Sequence, residues 1–544
     1  MKKEFTRLVD EILEFYWESN PIEATFSGIH RYDQVLDKMD SESRKKYRDK
    51  IKNYLERVKD FPSDTLSSDQ KMDQQILLSS LKTEVKIEEE TKKLQRDSSF
   101  YPRYALWGPY ILMLRNFAPL KERMKAALAR LEKIPAFMEQ GKANLKKGEG
   151  IPKIWTETGL ETTSSGKDFF DKMIPIFAEK VPEIKQKILD ATHKAKEAFE
   201  SFETFLKQDI LPESDGDFAV GKELFDYLLS SHHMLPYDSE EVYSIGEKLI
   251  GQTQKEMEEV SKEIDPQKHW TEIVKETKRT HPEKDKLLEF YKKEMEKAKG
   301  FVMQNDLVAI PPGENLEVIE TPVFERNIIP YGAYMPPAPF EEKQEGFFWV
   351  TPVNENFPQN QQEEQLEGHN SYGAVLTALH EAYPGHHLQL VHSNRIDSKV
   401  RRLFGTSLFW EGWALYCEDM MYEQGFYTDP RTRLLKLKDQ LWRGCRVVID
   451  VGIHTGKMSF DQAVDMLVNV AKLEPVNARA EVKRYTTDPA QPLSYSLGKM
   501  EILKLRDEYK KLKGADFDLK SFHNKLLSYG SIPIKLVREK MLET

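Results

Sequence analysis

His380-Glu381-Ala382-Tyr383-Pro384-Gly385-His386-His387 is the most informative stretch of this 544-residue chain. Thirteen histidines are present, and five of them (His369, His380, His386, His387 and His392) fall within residues 369–392. A His-Glu pair followed by further histidines suits a divalent metal. The imidazoles supply ligands, and the glutamate beside the first can take a proton from water. In an unbroken helix the second ligand stands four positions after the first, and here that position is Pro384. His386 would then lie ~120° off the face of His380, at 100° per residue. His387 would share that face but sit ~10.5 Å along the axis. Two imidazoles on one zinc need nitrogens within ~3.5 Å. Pro384 excludes a straight helix, because its ring clashes with the carbonyl of residue 380. A local bulge that loops out two residues brings His386 to the place of the usual second ligand. His386 therefore ranks first as second ligand and His387 second. The competing reading is a kinked helix with surface histidines.

A third ligand comes from Glu411-Gly412-Trp413-Ala414-Leu415-Tyr416-Cys417-Glu418. Phe409, Trp410, Trp413, Ala414 and Leu415 mark a buried helix, and a buried Glu411 must be paired, protonated or bound to a cation. Glu418 lies two turns further on the same face, where it can accept the free N–H of a ligand imidazole. The alternative for Glu411 is a buried salt bridge to a nearby arginine. Two histidines and a glutamate with an open fourth position form a hydrolytic zinc pattern rather than a structural one.

The rest of the chain is helical in pattern. Phe5, Leu8, Ile12 and Tyr16 recur at helical spacing until Asn20-Pro21 stops them. Met124, Leu128 and Leu131 do the same, as do Ile184, Ile188, Ala191 and Ala195. Residues 212–217 read as a loop and a weak boundary. After Lys299 prolines and β-prone residues appear, in Ala309-Ile-Pro-Pro-Gly313, Leu316-Glu-Val-Ile-Glu320 and Gly346-Phe-Phe-Trp-Val350. They predict two or three short strands. The helical period returns after Tyr372, with a capping box at Ser459-Phe-Asp-Gln462. The expected fold is mainly α, with residues 1–300 as a helical N-terminal half and 301–544 carrying the strands and the site in one continuous body. The net charge of −10 gives no footprint for nucleic acid or an anionic membrane. The uncharged run 104–114 is shorter than the ~20 residues of a membrane span. Two cysteines, Cys417 and Cys445, and a charged N-terminus without an apolar core point to a cytoplasmic protein.

The motifs resemble a widespread bacterial family of unknown function whose hallmark is HE-x-x-PGHH-x-Q, met here from His380 to Gln389. Four further segments fit it. They are Glu411 to Glu418; Asp450-Val-Gly-Ile-His454; Glu481-Val-Lys-Arg484-Tyr485 with Pro489-Ala-Gln-Pro-Leu-Ser-Tyr495-Ser-Leu-Gly498; and Pro21-Ile-Glu-Ala-Thr-Phe-Ser-Gly28. Near Pro492 the chain departs from the pattern, with a second proline where a small residue is usual. The family is similar in fold to the Taq-type thermostable carboxypeptidases, and more distantly to neurolysin and angiotensin-converting enzyme. That resemblance implies an elongated, zincin-like helical body with a deep groove and a short sheet beside a Zn²⁺ site. It implies His380, His386 and Glu411 as ligands and Glu381 as general base.

The activity expected is a zinc metallopeptidase, carboxypeptidase-like, acting on short peptides. Tyr495 is the first choice as oxyanion donor and His454 the second. Arg484 is the candidate for a substrate C-terminal carboxylate. The strand at 347–350 is a candidate to pair with an extended peptide. The alternatives are a non-catalytic helical peptide-binding protein and a metal-dependent hydrolase of a non-peptide amide or ester.

Overall fold

The structure is a computed structural model that describes residues 2–543 apart from 324, 327, 328 and 330. The chain is mainly α, with one three-stranded sheet. It divides into two compact units, residues 1–218 with 338–342, and residues 219–337 with 343–544.

The first unit is built from amphipathic helices whose apolar faces follow the sequence pattern. Helix Lys2–Ser19 buries Phe5, Leu8 and Ile12, ends where Asn20-Pro21 interrupts it, and is followed at once by helix Pro21–Ser27 with its proline in the first turn. Helix Leu120–Leu131 buries Met124 and Leu131, and helix Lys185–Phe205 buries Ile188, Ala191 and Ala195.

The second unit holds the sheet. Strands β1 (Glu314–Glu320), β2 (Gly332–Met335) and β3 (Gln344–Val350) lie in the order β1-β3-β2. β1 runs parallel to β3, pairing Glu314 with Gln344 and Glu320 with Val350, and β2 runs antiparallel, pairing Gly332 with Val350. β3 is therefore central and buried along its whole length. Both its edges are taken, so the expected pairing of residues 347–350 with a peptide does not hold. The segment 309–313 forms no strand, and β2 was not legible among the prolines around it.

Helices frame the sheet. Helix Ser239–Ile264 runs along helix Pro430–His454, with Gly246 meeting Val447 and Val448 so closely that a Cβ would fall 2.8 Å from Val448. Helices Ser407–Glu423 and Ser494–Lys513 cross at Gly412 and Gly498, where a Cβ on Gly498 would lie 1.9 Å from the Leu408 carbonyl oxygen. The capping box at Ser459 is present, its hydroxyl accepting the Gln462 N–H at 3.2 Å. The division expected near residue 300 falls inside this unit. Helices Trp270–Lys278 and Leu287–Gln304 pack on the helices that follow the sheet, so the change in composition marks a change of element and not of core. No helix among the described residues is long and apolar enough to cross a membrane. Cys417 and Cys445 are buried free thiols.

Candidate metal centre

The His-Glu segment breaks its helix as the proline requires. Helix Ser371–Glu381 ends one residue after His380, and helix His386–Ser393 begins at His386. Across the break the Gly385 N–H bonds to the Leu379 carbonyl at 3.0 Å and the Leu388 N–H to the Ala382 carbonyl at 3.4 Å. Both bonds reach back six residues instead of four, so two residues are looped out. Gly385 is required there, since a Cβ would sit 1.8 Å from the His380 carbonyl oxygen. The Tyr383–Pro384 peptide is cis, and the Pro384 carbonyl accepts the Trp413 indole N–H at 2.8 Å. That bond ties the loop to helix Ser407–Glu423, which carries Glu411.

His380, His386 and Glu411 are thereby brought together, all buried, with one candidate ligand atom from each lying within 4.8 Å of the others. His380 Nδ1 lies 2.8 Å from Glu418 Oε1, which leaves Nε2 for a ligand. His386 Nε2 lies 3.4 Å from Glu411 Oε2. Glu411 Oε1 accepts the Gln491 side-chain N–H at 3.3 Å, while Oε2 is buried with no hydrogen-bond partner among the described residues. A buried carboxylate oxygen left unbonded beside two imidazoles fits a divalent cation. The donor set, two neutral nitrogens and one carboxylate, suits zinc.

The electrostatics follow from burial and pairing. Burial would raise Glu411, but the His386 imidazole 3.4 Å from its Oε2 outweighs it and lowers its pKa. Burial would lower His386, and Glu411 and Glu381 raise it instead. Glu418 is lowered by His380, Arg443 and Lys436 against the opposing effect of burial. Glu381 is raised by desolvation, with His380 and His386 pulling the other way. A carboxyl shifted upward beside a metal site is suited to carry a proton.

The remaining candidates separate into those at the centre and those away from it. The Tyr495 ring lies 6.4 Å from the His380 ring, nearly parallel, and Glu411 contributes to raising its pKa after burial. Arg484 donates to Glu481 at 3.0 Å and to Gln491 at 3.1 Å, so Gln491 links it to Glu411. His387 is no third imidazole of the centre. Its Nε2 is 2.6 Å from Glu314 on β1 and its Nδ1 3.0 Å from the Tyr334 hydroxyl on β2, and the side chain is wholly enclosed. Glu314 also accepts Lys299 at 2.6 Å and the Tyr383 hydroxyl; these bonds outweigh burial and hold it at about 2.

His454 is engaged elsewhere too. It is fully buried, and its Nε2–H donates to the Tyr485 carbonyl at 3.0 Å, which corrects its assignment as a second oxyanion donor. The Asp450 to His454 motif acts through the segment it holds. The Asp450 carboxyl accepts the N–H groups of Ala490 and Leu493 at 3.2 and 3.3 Å and so fixes the turn between them, which carries Gln491. Gln491 lies inside a motif already visible in the sequence, without a sign that it would touch Glu411. Glu314 and Tyr334 gave no signal, because strand pairing alone brings them to His387.

Comparison with solved structures finds the same architecture in two proteins. One, from Shewanella oneidensis, is described as a candidate lipoprotein of unknown function; it is 27% identical, with 99% of this chain and 100% of that chain covered and a TM-score of 0.80. The other, a candidate lipoprotein from Colwellia psychrerythraea, is 20% identical, with 99% and 98% covered and a TM-score of 0.85. No curated protein matches. The model of the bacterial proteins of unknown function, DUF885, matches residues 21–541, and the chain belongs to that family.

Proposed function

We propose that this protein is a zinc-dependent metallopeptidase, carboxypeptidase-like, that hydrolyses short peptides. The observation that carries the reading is the buried group His380, His386 and Glu411, with the unbonded Glu411 oxygen beside the His386 imidazole and Glu381 adjoining it. Zinc bound there would supply Lewis acidity toward a carbonyl and lower the pKa of water toward ~7. Glu381 takes the proton of the attacking water and passes it to the leaving amine, for which its raised pKa suits it. Glu418 fixes the tautomer and tilt of His380. Tyr495 donates its hydroxyl to the oxyanion as the carbonyl carbon becomes tetrahedral. Arg484 pairs with the free C-terminal carboxylate of the peptide, its side chain being about a third exposed (32%). Similarity of the His-Glu and Glu411 motifs to zincin peptidases supports the same reading. The test is a di- and tripeptide library with zinc present. Wild type should cleave and chelator should stop it. Glu381→Gln should abolish turnover while retaining one metal per chain. Full cleavage by Glu381→Gln would overturn the assignment.

A further inference from the structure

The motif at residues 21–28 lies in the first unit and takes no part in the metal centre. Most of it is scaffold. Buried Arg130 donates to the Pro21 carbonyl at 3.0 Å, to Thr25 Oγ1 at 2.6 Å and to the Gly108 carbonyl at 2.7 Å. Glu23 is the exception: its carboxylate accepts the Tyr104 hydroxyl at 3.5 Å. Tyr104 in turn lines a cavity of about 820 Å³, formed by residues between 20 and 147. That is within the size range of small-molecule sites, ~300–1,000 Å³.

The cavity is polarised. On its inner wall Phe100 and Tyr104, one turn apart, stack at 4.6 Å between ring centroids. Glu84 lines the same cavity, and its carboxylate accepts the Tyr47 hydroxyl at 2.5 Å. Burial raises the pKa of both Glu84 and Glu23, so two carboxyls are held where their charge is poorly solvated. Toward the exposed rim, where Glu89 also stands, basic side chains are in the majority. Arg44 and Arg48 share Glu88, at 3.0 and 3.3 Å. Lys45, Lys92 and Lys147 are exposed and make no ion pair among the described residues.

We propose that this cavity is a second ligand site, fitted to a small zwitterion such as a free amino acid. Its ammonium group meets Glu84 and the Phe100 and Tyr104 rings, and its carboxylate meets the lysines of the mouth. An ammonium ion is attracted to aromatic faces and relieves a desolvated carboxylate. A carboxylate at the rim is held by Lys45, Lys92 and Lys147, which make no ion pair among the described residues. A plain amine or a plain acid satisfies one end only. The site is independent of the peptidase reading.

The experiment is calorimetric titration of the full chain, treated with chelator, with L-phenylalanine, phenethylamine and N-acetylphenylalanine. Phenylalanine should bind saturably, and each analogue should bind roughly tenfold or more weakly. Glu84→Gln should weaken phenylalanine by a similar factor. So should the double variant Lys92→Glu with Lys147→Glu, whose exposed positions leave folding intact should Glu84→Gln fail to fold. His386→Ala should bind as wild type does. Absence of saturable binding at millimolar phenylalanine would overturn the proposal. So would equal binding of either analogue, or binding untouched by the cavity substitutions. Loss of binding in His386→Ala would move the ligand to the metal centre and overturn it likewise.

Discussion

His386 and His387 are neighbours in sequence and face opposite partners. One turns toward Glu411, the other toward Glu314 and Tyr334. His386→Ala is expected to lose tight metal binding, whereas His387→Ala should keep one metal per chain and lose stability. The loss should be about 3 kcal/mol, near the low end for a broken buried pair because Lys299 and Tyr383 still hold Glu314. Denaturant melts and metal analysis of the two variants check this together. That His386 and not His387 comes to lie with His380 and Glu411 was legible from helix geometry and Pro384 alone. The duty of His387 was not, since nothing local links residue 387 to residue 314. Asp37, in the first unit, gives a pH prediction. Burial raises its carboxyl from 3.8 to about 7, against the N–H of Ile22 and the charge of Arg130. The folded state then holds a proton that the unfolded state has released between those pH values. Stability from this group therefore falls as pH rises from about 4 to about 7. Asp37→Asn should remove that slope and stabilise the protein at pH 8 by on the order of 3 kcal/mol. An unchanged slope in chemical denaturation across pH 4–8 would contradict the assignment.

Among the elements, the crossing of helices Ser407–Glu423 and Ser494–Lys513 sets the geometry of the centre. Gly412 and Gly498 let the two backbones touch, the first next to Glu411 in sequence and the second one turn from Tyr495. Gly498→Ala should push them apart, at about 1–3 kcal/mol of stability, and weaken metal binding although no ligand is altered. Unchanged metal affinity in a folded Gly498→Ala protein would show that the crossing does not set the ligand geometry. Gly412 and Gly498 stand in the sequence as plain members of motifs, and only the packing distances reveal their role. The helices themselves were legible from apolar spacing and from caps such as Ser459. β2 was hidden because four residues among prolines carry too little alternation to stand out.

For the whole molecule, the division into two units separates the metal centre from the cavity of the first unit. Each unit has its own buried core, and every candidate ligand lies in the second. Zinc at about a hundred times its dissociation constant should stabilise that unit by roughly 2.7 kcal/mol. Calorimetry should therefore show two transitions with only one raised by zinc. A single transition moving as a whole would mean that the two cores melt together. The family match spans nearly all of the chain, but the sequence carries its chemistry in a few motifs, and these converge only through the break at Pro384, the Gly412–Gly498 contact and the Asp450 turn. The most direct measurement is metal content by mass spectrometry of protein purified without chelator and then dialysed against zinc. The account predicts one zinc per chain in wild type and in Glu381→Gln, and little in His380→Ala, His386→Ala and Glu411→Gln. Wild-type protein that takes up no zinc, or a Glu411→Gln variant that binds it as tightly as wild type, would contradict the centre.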